Sequence, residues 1–174
     1  MDRHTSADEI QGWFAGRLAE GWFVGPPEVH VDREEILVIG ELADVELGKD
    51  ASDAARAAAR QARTDAFREE TRESRMRIAD DAQHGFGRAV SWGVRIGGTE
   101  RLFTTLALPV MTRLRMAERR TLDTLVAAGV ARSRADALAW CVRLVAEHEG
   151  DWIAGLREAL EAVEKRRAQG PRLH

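Results

Sequence analysis

The stretch LPVMTRLRMAERRTLDTLVAAGVARSRADAL, residues 108–138, carries the clearest structural pattern in the chain of 174 residues. Its first part, residues 110–116, alternates in a way that predicts a β-strand. Successive strand residues point to opposite faces, so one face would hold Val110, Thr112, Leu114 and Met116, and the other Met111, Arg113 and Arg115. The first face could pack on helices while the second stays outside.

Two helices follow the predicted strand. Leu122, Leu125 and Val126 have the spacing of a buried helical stripe, and Gly129 suits the left-handed residue just past a helix end. Ser133, with Asp136 three residues later, predicts a capping box for the second helix. The wide apolar face of that helix is expected to contain Ala137, Leu138, Cys141, Val142 and Val145.

A third helix is predicted between Asp151, its cap, and Gly170-Pro171, which would end it. Its inward residues are expected to be Trp152, Ile153, Leu156, Leu160 and Val163. One strand and short helices cannot bury so much apolar surface alone, and a lone strand leaves its ladder groups unpaired. Two chains that pair their strands and interlock their helices solve both problems, so we expect an obligate homodimer.

The order of strand, short helix, glycine and capped helix over residues 108–147 resembles the ribbon-helix-helix family of DNA-binding proteins. The most specific part is Gly129 with the following run of residues 132–138. The resemblance implies a homodimer that inserts an antiparallel ribbon into the major groove of double-stranded DNA, with tetramers on DNA as a further possibility. It implies base contacts from Met111, Arg113 and Arg115, and phosphate contacts from Ser133 and Arg134 at a helix N-terminus.

Residues 1–107 have the pattern of a small α+β domain, and residues 108–174 would form the second domain, so the fold class is α+β. The predicted order is a helix over 8–21, strands over 29–31 and 36–40, a long helix over 52–83, and a hairpin of strands 89–96 and 101–106. Gly97-Gly98 supports the hairpin turn. We place this half in no known family.

Two features of this N-terminal half leave alternatives open. Arginines recur at helical spacing along residues 52–83, at positions 56, 60, 63, 68, 72 and 75. Glutamates among them favour a solvated face with salt bridges, and a second nucleic-acid surface is the alternative. The pairs Trp13-Phe14 and Trp22-Phe23 favour a core or dimer contact, with a small-molecule pocket as the alternative. The domain would sense an effector, contact a protein partner or assist DNA binding.

The charge pattern points to the C-terminal part as the place for a phosphate-bearing partner. The net charge of −3 divides into −8 over residues 1–50, +2 over 51–108 and +3 over 109–174. No apolar run approaches the roughly 20 residues that cross a bilayer, and no signal peptide is evident, so we expect a cytoplasmic protein without a membrane partner. The single cysteine, Cys141, excludes an internal disulfide and suits a small buried apolar position.

No motif indicates an enzyme, a cofactor or a metal site. The histidines at positions 4, 30, 84, 148 and 174 lack partners at the spacing of metal ligands, and no phosphate-binding loop or nucleophile motif is present. Gly85-Phe86-Gly87 is too short for a nucleotide fingerprint.

The leading hypothesis is therefore a sequence-specific DNA-binding protein, most simply a transcriptional regulator. Two alternatives stay open: an antitoxin of a toxin–antitoxin pair, and a scaffold or interaction protein that does not bind DNA. In the last case residues 110–116 would be an ordinary sheet strand with Arg113 and Arg115 merely exposed.

Overall fold

The computed structural model describes residues 6–169, and the predicted helix stop at Gly170-Pro171 and the histidines at positions 4 and 174 lie outside them. The chain divides after Pro109 into two compact units, here called unit 1 and unit 2. The described residues form six helices and one four-stranded sheet, which confirms the predicted α+β class. None of these helices is long and apolar enough to cross a membrane.

Unit 1 contains the sheet and three helices. Along the chain these elements are α1 (Ala7–Arg17), β1 (Glu28–Val31), β2 (Glu35–Glu41), α2 (Asp53–Glu70), α3 (Arg72–Phe86), β3 (Ala89–Ile96) and β4 (Thr99–Leu102). The strand order is β1-β2-β3-β4. The outer pairs are antiparallel hairpins, as expected, whereas the central pair β2–β3 is parallel, with Ile36 opposite Val90.

The core of unit 1 lies between the sheet and its helices. One cluster joins Ile10 and Phe14 of α1 to Ile36 and Val38 of β2 and Trp92 of β3. A second cluster contains Leu42, Phe67, Val94 and Ile96. The aromatic pairs belong to these clusters: Phe14 packs edge-on against Trp92, and Trp22 against Phe67. The core alternative for both pairs is therefore confirmed.

Three predicted boundaries in unit 1 are wrong. The first helix ends at Arg17, because Leu18 turns to extended geometry and packs on the core, instead of continuing to residue 21. Strand β4 ends at Leu102 rather than 106. The long helix predicted over 52–83 is two helices that meet at Thr71.

Thr71 accounts for the break between α2 and α3. Its backbone has φ −96° and ψ −1°, and its hydroxyl donates to the Phe67 carbonyl at 2.6 Å. The same oxygen accepts a hydrogen bond from Arg75 Nε at 2.9 Å. Side chains that hydrogen-bond to the backbone four residues back bend helices. A sequence pattern without glycine or proline gave no sign of this break.

Unit 2 consists of α4 (Met116–Ala127), α5 (Arg134–His148) and α6 (Gly150–Ala168). Gly129 has φ +77°, and the N–H groups of Gly129 and Val130 donate to the carbonyls of Val126 and Leu125 at 3.0 Å, which closes α4 with a Schellman motif. Ser133 Oγ accepts from the Asp136 N–H at 3.2 Å and caps α5. The glycine stop and the Ser133 cap are confirmed, whereas the reciprocal half of the predicted capping box is absent, because Asp136 accepts the N–H of Arg132 instead of that of Ser133.

The core of unit 2 is small. Its buried members are Leu122, Ala131 and Ala137, with Leu114, Leu125, Val126, Leu138 and Cys141 packed around them. Of the predicted apolar face of α5, Ala137, Leu138 and Cys141 belong to this cluster, whereas 64% of Val142 and 49% of Val145 are exposed in the single copy. Cys141, a free thiol, is half-buried.

The expectations for the third helix also need correction. Glu149, not Asp151, is the N-cap of α6, and no side chain caps it. The residues predicted to face inward are exposed along one stripe, namely Trp152, Leu156, Leu160 and Val163. Ile153 is the one residue of that predicted set that is half-buried.

Candidate functional sites

The segment predicted as a ribbon strand, residues 110–116, is not a strand in this chain. Residues 110–115 belong to no regular element, and α4 already begins at Met116. A strand is defined by ladder hydrogen bonds to a neighbour, and the backbone groups of residues 110–113 form none with the described residues. Arg115, the N-cap of α4, has extended geometry with φ −78° and ψ 177°.

Leu114 is the residue of this segment that packs against the helices of unit 2. Its side chain packs against the Leu122 cluster, and its carbonyl accepts a hydrogen bond from Arg119 Nη1 at 2.8 Å. Its neighbours Arg113 and Arg115 are exposed, and 97% of Met111 is exposed. The three residues predicted to lie on the outer face, Met111, Arg113 and Arg115, are therefore exposed. Of the predicted inward face only Leu114 packs, since Val110, Thr112 and Met116 are exposed.

The first turn of α5 is anchored by side chains on both sides. The Ser133 hydroxyl caps the helix, and Asp136 Oδ2 accepts the Arg132 N–H at 2.9 Å. The guanidinium of Arg134 makes two hydrogen bonds to Asp123 of α4, with Nε–Oδ1 at 2.6 Å and Nη2–Oδ2 at 2.8 Å. These bonds lower the pKa of the Asp123 carboxyl. Both side chains predicted to hold phosphate therefore already have partners within unit 2.

The backbone at this helix end still offers donors. The N–H groups of Arg134 and Ala135 form no hydrogen bond with any described residue. Free N–H groups and the helix dipole favour an anion at such a terminus. Ala137 of this helix and Leu114 of the extended segment belong to the same small core, so both predicted contact regions are positioned by one cluster.

Unit 1 contains a cavity that sequence reasoning did not identify as a site. Its volume is about 590 Å³. Helices α2 and α3 contribute Arg68, Glu69, Arg72 and Arg75, and the sheet side contributes the rings of Trp92 and Phe103. The helical spacing of the arginines was visible in the sequence, but the bend at Thr71 that brings them over Phe103 was not.

Arg75 departs from the predicted solvated arginine face. Only 6% of it is exposed, and its guanidinium carbon lies 4.9 Å from the centre of the Phe103 ring. Nε donates to Thr71 Oγ1, and Nη2 donates to the Arg68 carbonyl at 2.7 Å. No carboxylate of the described part of the chain pairs with it within salt-bridge distance.

The electrostatics of the cavity follow from this arrangement. Burial lowers the pKa of Arg75, and the neighbouring charges of Arg68 and Arg72 lower it further. Buried charges in proteins are normally paired, so an unpaired guanidinium beside two more is a surface that favours an anion. The aromatic rings add an apolar wall. Within residues 6–169, no three His, Cys, Asp or Glu side chains group as ligands for a metal ion.

Comparison with known proteins divides the chain in a similar way. The model described as the N-terminal domain of Rv1265-like proteins matches residues 8–102, and the model described as the Mb1296 C-terminal domain matches residues 115–167. No solved structure matches the chain.

Close relatives occur in mycobacteria. The chain is 61% identical over 161 residues to the uncharacterized proteins Mb1296 of Mycobacterium bovis and Rv1265 of Mycobacterium tuberculosis. The alignment covers 92% of this chain and 70% of each relative. A family match over more than half of the residues, together with this identity, shows that the chain belongs to the Rv1265-like family.

Proposed function

We propose that the protein is a sequence-specific DNA-binding homodimer and acts as a transcriptional regulator. In this proposal the extended segments 110–115 of two copies pair as an antiparallel ribbon that enters the major groove. Met111, Arg113 and Arg115 would meet the bases, and the N-terminus of α5 would meet a phosphate.

The observation that carries the proposal is the alternation at Leu114. This side chain is packed on the core of unit 2 while Arg113 and Arg115 on either side are exposed. In a paired ribbon the arginines of both copies would then share one face, and arginine is the side chain best suited to guanine O6 and N7. The unused backbone groups of residues 110–113 supply the ladder that pairing requires.

The structure leaves fewer groups free to contact a phosphate than the resemblance implies. The Ser133 hydroxyl and the Arg134 guanidinium are engaged with Asp136 and Asp123. We therefore assign the phosphate to the backbone N–H groups of Arg134 and Ala135 and to the Ser133 O–H, which donates in no bond to a described residue, with the Arg134 side chain holding the helix end in place.

The test is selection of bound fragments from genomic DNA at about 0.15 M salt, where specific and non-specific binding separate. Arg113→Ala combined with Arg115→Ala should abolish enrichment of a short palindromic motif. The control is Arg143→Ala combined with Arg157→Ala, which removes the same charge from exposed positions of α5 and α6.

Specific enrichment by the Arg113/Arg115 variant would remove the ribbon assignment. Equal loss in the control would show that only overall charge matters. If the wild-type protein enriches no sequence, the protein is better described as an interaction protein that does not bind DNA.

A second function is favoured by the cavity of unit 1. We infer that it binds a small effector with an anionic group and an aromatic or flat apolar part. The anionic group would meet Arg68, Arg72 and Arg75, and the apolar part would lie along Trp92 and Phe103.

Calorimetric titration with phenyl phosphate tests this effector site. The double variant Arg68→Ala, Arg72→Ala is expected to lose binding. Both arginines line the cavity and are exposed, so their replacement leaves the buried Arg75 in place. Arg56→Ala combined with Arg77→Ala is the matched control outside the cavity. Unchanged binding in the Arg68/Arg72 variant, or none in wild type, contradicts the effector site.

A further inference from the structure

The exposed stripe of α6 is an apolar surface that the proposed DNA interface leaves unused. Trp152 and Leu160 are each 63% exposed, Val163 is 52% exposed and Leu156 is 47% exposed. With 3.6 residues per turn, these four side chains fall within about 80° of one another around the helix. A contiguous apolar stripe of this kind marks an interaction surface.

The spacing of the stripe is that of a helix-pairing seam. Ile153, Leu156, Leu160 and Val163 follow one another at intervals of three, four and three residues, which is the a/d pattern of coiled coils. Ile153 lies at the edge of the stripe and is half-buried, and the other three are open. The pattern therefore favours a second helix as the partner.

The charges at the two ends of the stripe identify that helix. Glu149 and Arg167, both exposed, lie in line with the stripe, about one turn before it and one turn after it. The stripe is thus acidic at its start, apolar in the middle and basic at its end. A parallel copy would place like charges together, whereas an antiparallel copy would place Glu149 against the partner's Arg167 at both ends.

We propose that α6 pairs with α6 of a second copy of this chain in antiparallel orientation across a two-fold axis. In this register Leu156 of one copy lies over Leu160 of the other, and Ile153 lies over Val163. The antiparallel arrangement also places the positive end of each helix dipole beside the negative end of the other. The contact is made by a surface separate from residues 110–115, so the two sites of association can be tested independently.

The first experiment isolates this contact from the ribbon. Thr112→Pro places a proline, with its fixed φ and no N–H, in the middle of the segment that would pair as a ribbon, and the N–H that it removes forms no bond within the described chain. Sedimentation equilibrium of the full Thr112→Pro chain should still show association. Adding Leu156→Glu and Leu160→Glu should weaken that association on the order of 100-fold or more, because two leucines per copy lose their apolar cover.

The second experiment tests orientation with two exposed residues whose side chains form no hydrogen bond or ion pair with the described residues. In the Thr112→Pro background, Glu149→Arg or Arg167→Glu alone should weaken association about tenfold, and the two together should restore it. Asp151→Arg and Lys165→Glu are matched controls, since both lie on the side of α6 away from the stripe. The controls should leave association unchanged.

Each result bears on the proposal. A monomeric Thr112→Pro protein at every concentration, or unchanged association in the leucine variant, overturns α6 pairing. Failure of the double charge reversal to restore association overturns the antiparallel register. Loss of DNA binding with intact α6 association would remove the ribbon function and leave this contact standing.

Discussion

Among single residues, Arg75 has the most unusual surroundings. It is held by Thr71 and by the Arg68 carbonyl rather than by a carboxylate. Its position therefore depends on hydrogen bonds to neutral acceptors, which the sequence pattern did not reveal. The three arginines at helical spacing looked equivalent in the sequence, but the bend at Thr71 buries one and leaves Arg68 and Arg72 exposed.

Thr71→Val tests this dependence. The change keeps the side-chain volume but removes the buried hydroxyl, so Arg75 Nε loses its acceptor. We expect the free energy of unfolding to fall by about 1–3 kcal/mol, as for other buried groups left without a partner. Urea denaturation followed by tryptophan fluorescence measures this change.

The control for that substitution is Thr124→Val. Thr124 makes the same kind of bond to the Arg120 carbonyl at 2.9 Å, but on the exposed side of α4. It should change stability by less than about 0.5 kcal/mol. Equal effects at both positions would show that the buried network does not hold Arg75.

The ion pair of Asp44 and Arg60 leads to a prediction about the pKa of Asp44. The carboxylate accepts two hydrogen bonds from the guanidinium, at 2.8 and 2.5 Å, and one from the Val45 N–H. These bonds lower the pKa of Asp44 to about 2, with the Arg60 bond contributing most. In Arg60→Ala the pKa should rise toward the ordinary value of 3.8, as measured by NMR of the carboxyl carbon.

The sign of the stability effect follows from that depressed pKa. The unfolded chain binds the proton first, so the contribution of the pair is complete above the unfolded pKa and is lost as the pH falls through about 2. Arg63→Ala, one turn along α2, should leave the Asp44 titration unchanged. A similar shift there would mean that general charge, not the paired geometry, sets the pKa.

Among the elements, helix ends marked by a glycine stop or a serine cap were predictable, whereas the partners of the helices were not. Gly129 and Ser133 determine local backbone geometry, so the sequence was sufficient to predict the end of α4 and the start of α5. The stripe of Trp152 and Leu156 was correctly recognised as apolar but wrongly placed inward. Periodicity identifies an apolar face but not the surface that covers it.

The sheet shows the same division between local and distant contacts. Both hairpins were predictable because turn residues join strands that are neighbours in the chain. The parallel pairing of β2 with β3 was not, because α2 and α3 lie between them and no local pattern encodes it. Of the candidate site, the exposure of Met111, Arg113 and Arg115 was predictable, whereas the pairing of Arg134 with Asp123 was not.

Gly129→Ala tests the turn between α4 and α5. At φ +77° a Cβ is strained, although no other atom obstructs it, so we expect a loss of about 1 kcal/mol in stability. Gly155→Ala is the counterpart inside α6, where a Cβ also meets open space and helix propensity favours alanine by about 1 kcal/mol. Thermal unfolding by circular dichroism should show opposite shifts, and shifts of the same sign would contradict the left-handed turn.

At the level of the whole molecule, the two units differ in how much they bury by themselves. Unit 1 has two clusters that include several aromatic rings, whereas the cluster in the described part of unit 2 has three buried residues. Unit 2 should therefore depend on association for its stability. When the protein concentration is raised about hundredfold, the unfolding temperature of unit 2 should increase while that of unit 1 stays unchanged.

Scanning calorimetry measures this concentration dependence. The Leu156→Glu, Leu160→Glu protein is the comparison, because it should unfold unit 2 at a lower temperature with a smaller dependence on concentration. Transitions that are fixed for both units in the wild-type protein would mean that unit 2 is stable as a single copy.

The parallel pair at the centre of the sheet also bears on how the chain reaches its fold. Ile36 and Val90 are neighbours across that ladder although they lie 54 positions apart in the chain. Such a closure is slow compared with hairpin formation. During synthesis, the edge of β2 that pairs with β3 therefore stays without a partner until α2, α3 and β3 have left the ribosome. We expect this interval to set the folding rate of unit 1 and to be its period of greatest exposure to aggregation.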